Sequence, residues 1–124
     1  MELLAVVAII GILSAFAIPA YNNYLLRGKV KSAGADLMAL AAAVENQRQR
    51  TLNYPADAGV SQFSSWNPSS SQEEFEFDYA PESGGYVVSV AWMGDGKLSG
   101  CELTLDRRGE KSATDACMVN DQWQ

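Results

Sequence analysis

Residues 1–21 read MELLAVVAIIGILSAFAIPAY, and from Leu3 to Tyr21 no side chain carries a charge. A helix rises about 1.5 Å per residue, so this run comes close to the roughly 30 Å of hydrocarbon in a bilayer. No basic segment precedes the run, it exceeds the about 7–15 residues of a signal-peptide core, and the IPAYNNYL that closes it lacks the small residues of a cleavage site. The run reads as a retained apolar helix, and past Tyr21 the chain reads as a soluble protein.

Helical periodicity continues beyond the run. Leu26, Val30, Ala33, Leu37, Leu40 and Val44 recur at alternating spacings of four and three and form one apolar stripe. Lys29, Lys31, Asp36, Glu45 and Arg48 are expected on the polar faces. The expectation is a single helix from about Met1 to about Arg50, apolar all round in residues 1–24 and amphipathic in residues 25–50. Pro19 lacks a backbone donor and is expected to kink or loosen it, and Gly11, Gly28 and Gly34 weaken it further.

Residues 51–74 read as a loop, from Tyr54-Pro55 and Gly59 and from the Ser/Asn/Pro-rich stretch Ser61 to Gln72. Phe63 and Trp66 are expected to pin that loop to the core. In residues 75–124, Phe75, Phe77 and Tyr79 alternate with Glu76 and Asp78, Tyr86 to Trp92 reads as a central strand, and Leu103 and Leu105 share one face of a strand from Cys101 to Asp106. Turns are expected at Pro81 to Gly85, Gly94 to Gly100 and Arg107-Arg108-Gly109, with a short fourth strand near Cys117 to Val119. The fold class is therefore α+β, a long N-terminal α-helix packed on a small antiparallel β-sheet of three to four strands. A sheet that small needs a cover, and the apolar stripe supplies it.

Charge is uneven. Residues 1–50 hold five basic and three acidic groups, whereas residues 51–124 hold four basic and twelve acidic ones. Such an acidic head repels polyphosphates, which disfavours general nucleic-acid binding. Arg27, Lys29 and Lys31 either mark the cytoplasmic flank of a membrane span or form a solvated helix face. Histidine is absent, so no Ser-His-Asp or Cys-His arrangement is available and no enzyme is expected. Cys101 and Cys117 are too few for a zinc site, and no calcium-loop pattern occurs among the acids at Glu73, Glu74, Glu76 and Asp78. No metal or other cofactor is expected. The two cysteines read either as a disulfide formed outside the cytoplasm or as two buried thiols.

Glu2 stands at the mouth of the apolar run. An acid deep in a bilayer costs about 2.5–3.5 kcal/mol and normally has a partner, although an acid at headgroup level is an ordinary flank. The segment Met1 to Tyr21, with this acid, Gly11 nine residues later and Pro19 eight after that, resembles the N-terminal segment of type IV pilins and their pseudopilin relatives. The resemblance covers about the first 25 residues. Beyond them it rests on the order of amphipathic helix, loop, sheet and C-terminal cysteine pair.

That resemblance implies the pilin fold and a type IVa-like major or minor pilin. Such a structural subunit is stored in the bacterial inner membrane and polymerised through its apolar helix into an extracellular pilus. Adhesion, twitching motility and DNA uptake are the family's roles. Its partners are other pilin subunits, the assembly machinery, and a prepilin peptidase that removes a basic leader and methylates the new terminal amine. The family acid, which pairs with the terminal amine of a neighbour, falls on Glu2. The residues and leader that precede that acid in the family are absent before Met1, so the expectation is a trimmed or engineered start, and the amine facing Glu2 is unassigned. Gly11 to Pro19 falls where family filaments lose helicity.

The disulfide implied by the family is Cys101 to Cys117, and the segment it closes often carries recognition. Arg107, Arg108 and Lys111 within it are a candidate surface, through which a minor pilin could engage DNA, or else a solvated turn. Trp66, Trp92 and Trp123 with the tyrosines read as core residues rather than a sugar platform or a charge-transport chain. The alternatives are a secretion pseudopilin, marked by calcium-dependent folding, and a membrane-tethered periplasmic binding module.

Overall fold

The computed structural model describes residues 1–69 and 73–124. Residues 70–72, the end of the expected Ser/Asn/Pro-rich loop, lie outside that range. Helix α1 spans Glu2–Thr51 in one piece and ends where Leu52 turns into the left-handed region at φ 67°. It stays helical across Gly11 and Pro19, so the two halves are not separated by a coil turn.

Four strands follow, β1 (Phe75–Glu82), β2 (Gly85–Trp92), β3 (Glu102–Asp106) and β4 (Lys111–Ala113), in an antiparallel sheet of order β1-β2-β3-β4. The β1–β2 turn is tighter than Pro81 to Gly85. Glu82 pairs with Gly85, only Ser83 and Gly84 form the loop, and Gly84 supplies the positive φ of 77°. Pro81 is tolerated inside β1 because β1 is an edge strand.

The fourth strand is not at Cys117 to Val119. Gly109, at φ 82°, closes a tight turn after Asp106, so the chain pairs at once and Lys111 meets Leu105. Asp115–Cys117 is a 3-10 turn, and Met118 at φ 63° prevents an extended continuation.

The stripe packs as expected. Val30, Ala33, Leu37, Leu40 and Val44 are fully buried against Phe77, Tyr79, Val88, Val90, Leu103 and Leu105, while Leu26 is half-buried at the edge. Fully burying one such aliphatic side chain contributes about 1.5–3 kcal/mol, so this seam dominates the head's stability. Gly34 lies within it because the Trp123 ring occupies the space a Cβ would fill.

Candidate assembly surface and the head that carries it

The stem, residues 1–22, buries nothing. Every residue in it is exposed, with Leu3 at 80% and Phe16 at 75%. Leu, Val, Ile and Phe side chains cover its whole circumference, a far larger apolar surface than a monomer in water retains. Glu2 lies in its first helical turn, and Gly11 has open space around its Cα. The three residues singled out for assembly thus lie along one exposed rod.

The head grips the next turns of α1. Lys29 donates to Glu74 at 2.8 Å and lies 5.8 Å from the centre of the Trp92 ring. Lys97 reaches down to Asn23 at 2.7 Å. Both contacts are exposed, and an exposed ion pair contributes about 1 kcal/mol or less.

Asp36 is buried rather than on a polar face. Its carboxylate accepts from the Ser69 backbone N–H at 2.9 Å and the Ser69 hydroxyl at 3.0 Å, while Trp66 donates its indole N–H to the Asp36 carbonyl. This is how the loop is pinned, together with the Trp66 ring against Phe77 and Phe63 against Tyr79. The readable signal was an acid flanking Leu37 on the stripe opposite a loop rich in serine donors. Glu45 likewise turns inward and accepts from the Tyr54 hydroxyl at 2.9 Å. Burial first, then the nearby Glu45 carboxylate, pushes the Tyr86 hydroxyl well above its ordinary pKa.

Cys101 and Cys117 form a disulfide, and both are buried. Thr114 ties the closed segment to the sheet by accepting from the Glu102 N–H and donating to the Gly100 carbonyl. Arg107, Arg108 and Lys111 do not form one cationic patch. Arg108 lies 3.6 Å from Asp106 and 4.0 Å from Glu110. The Arg107 stem covers Gly85, and Lys111 sits 5.0 Å from the centre of the Trp123 ring. Asp106 caps this turn by accepting from the Arg108 and Glu110 N–H groups, which holds its carboxyl below the usual range. Among the described residues no group of three metal-ligating side chains comes together.

A family model described as type IV minor pilin ComP, DNA uptake sequence receptor, matches residues 19–106. A fimbrial protein of Dichelobacter nodosus is 34% identical over 104 residues, which is 84% of this chain and 61% of that protein. A type IV major fimbrial protein FimA of the same organism is 33% identical over the same shares. A fimbrial protein of Pseudomonas aeruginosa is 51% identical over 45 residues, 36% of this chain and 29% of its own length. The chain thus spans about three fifths of the first two relatives. No solved structure matches it.

Proposed function

The chain belongs to the type IV pilin family, and from that membership we propose that it is a subunit of an extracellular pilus, held in the inner membrane by residues 1–24 until it is assembled. The observation that carries this reading is the bare stem, whose apolar surface the head does not cover. Lipid covers it in storage and neighbouring stems cover it in the fibre. Glu2 then faces a neighbour's cation, because a carboxylate left unpaired in a dry core costs several kcal/mol. Gly11 to Pro19 is the stretch where the helix yields as the fibre forms, since Pro19 removes one backbone bond. The exposed side chains between Glu102 and Ala116, inside the disulfide-closed segment, serve recognition. Electron microscopy of sheared surface fibres, labelled with an antibody to residues 51–124, tests this. Label along the fibres supports the reading, and tip-only label makes the chain a minor pilin. Fibres without label, with assembly unchanged in Glu2→Ala, refute it.

The description of the matching family model favours a second reading, DNA capture during uptake. Exposed Arg107 is the group best placed for a phosphate, since Arg108 already faces two carboxylates. Binding of duplex DNA to the purified chain, weakened in Arg107→Gln and steeply salt-dependent, is the expected result. No binding at low salt removes this reading.

A further inference from the structure

Glycine inside a helix costs about 0.5–1 kcal/mol relative to alanine, so an interior glycine calls for a local reason. Gly34 has one in the Trp123 ring. Gly28 has none within the subunit, since a Cβ there would meet nothing within 4 Å. Around it lies an open notch of about 500 Å³ lined by Tyr24, Leu25, Arg27, Lys29, Lys31 and Ser32. These residues compose two adjoining diamonds at helical spacings of three and four, which share the missing side chain at Gly28.

Its cations divide by face. Asn23, Leu26, Val30 and Ala33 turn toward the head, and Lys29 is held there by Glu74. Tyr24, Arg27, Gly28 and Lys31 are exposed, with Gly28, Tyr24 and Lys31 turned away from the head and Arg27 on the flank opposite Lys29. Among the described residues neither Arg27 nor Lys31 has an ion-pair partner. No charged residue lies between Glu2 and Arg27. That interval of 25 residues spans about 38 Å, against about 40–45 Å for a bilayer with its headgroups. With Glu2 among the headgroups of one leaflet, Arg27 reaches those of the other. Tyr21 and Tyr24 then lie in the interfacial layer that aromatic rings favour, and Lys31, one turn on, can bend back to headgroup level.

We propose that the Gly28 notch binds the anionic headgroup of a phospholipid, with Arg27 and Lys31 on the phosphate and Tyr24 against the glycerol region. The proposal rests on the membrane-stored state described above. Its occupant follows from charge, because two free cations at headgroup depth meet phosphate.

The test uses the full chain in detergent micelles doped with phosphatidylglycerol or phosphatidylcholine, with retained lipid counted by native mass spectrometry. The wild-type chain should retain phosphatidylglycerol preferentially. Arg27→Gln with Lys31→Gln should lower that preference about twenty-five-fold, at about fivefold per charge. Gly28→Leu, which fills the notch and keeps both charges, should bring retention to the phosphatidylcholine level. Retention unaltered in the double variant overturns the proposal, and so does full displacement of lipid by equimolar inorganic phosphate. Variants that retain lipid normally but no longer enter fibres would make the notch a contact between copies and also overturn it. Lipid retention is read on single subunits, so it fails or succeeds independently of the fibre microscopy that tests the pilus reading.

Discussion

The same substitution at two glycines of one helix should act in opposite directions. Alanine at either Gly28 or Gly34 gains about 0.8–1 kcal/mol of helix propensity. At Gly28 nothing opposes that gain. At Gly34 the new Cβ lies 2.9 Å from Cε3 of Trp123 and 3.5 Å from a methyl of Leu103. The ring is not free to slide. Its N–H donates to the Ser112 carbonyl at 3.0 Å, Lys111 covers one face, and its own N–H backbone group donates to Asn120. Overpacking of this kind costs about 1–3 kcal/mol. We expect Gly28→Ala to stabilise the subunit by somewhat under 1 kcal/mol and Gly34→Ala to destabilise it by about 1 kcal/mol, a contrast of about 2. Denaturant unfolding of the full chain in micelles, followed by tryptophan fluorescence, measures both. Equal stabilisation by the two variants, with the emission maximum unmoved, would show that Trp123 is no fixed cap on the helix and would refute the reasoning.

Replacing both Cys101 and Cys117 by serine should cost about 3 kcal/mol, the chain-entropy value for a loop of this size; unfolding midpoints that match with and without reductant in the wild type would contradict it. Asp36→Ala leaves the Ser69 donors without their carboxylate and should cost about 1–3 kcal/mol, with faster proteolysis between residues 57 and 69 as the direct readout. Stability should also fall above about pH 10: there the unfolded chain loses the Tyr86 proton while the folded chain, whose hydroxyl is raised by burial and by Glu45, retains it. Tyr86→Phe should flatten that alkaline slope in a pH series of melting temperatures, and an unchanged slope would assign the effect to another group.

Periodicity made α1 and the central strands legible, because a stripe at three-four spacing and an alternation of period two each describe one buried face. It failed where chemistry, not hydropathy, chose the conformation. The fourth strand follows the Asp106 cap and the positive φ of Gly109, which let pairing begin at Lys111. Cys117 to Val119 are apolar, yet Cys117 sits in a 3-10 turn and is held to Cys101 by the disulfide. Asp36 and Glu45 read as surface residues because charge by itself implies exposure. Both flank the stripe, and each finds donors on a distant segment that single-helix geometry cannot supply. In the candidate recognition segment, adjacency of Arg107, Arg108 and Lys111 suggested one patch, and the hairpin turn sends each to a different neighbour.

Under the proposed storage in a membrane and assembly into a fibre, the division of α1 also bears on what sets the direction of assembly. Apolar side chains in residues 3–21 are as well accommodated by lipid tails as by each other, so moving the stem from bilayer to fibre removes little area from water. Burial therefore cannot be the main drive for extraction. What differs between those two proposed states is polar: Glu2 would leave one headgroup layer, and Arg27 and Lys31 would leave the other. Each loses a hydrated or lipid partner and must find one on a neighbouring copy. The balance of assembly then lies with a few charged groups at the two ends of the stem, together with any work applied to the subunit. On this argument, conservative changes among Leu3, Ile9 or Phe16 should shift fibre yield much less than charge reversal at Glu2 or Arg27. A fibre assay in which Phe16→Leu proved as damaging as Glu2→Lys would place the control in side-chain packing instead.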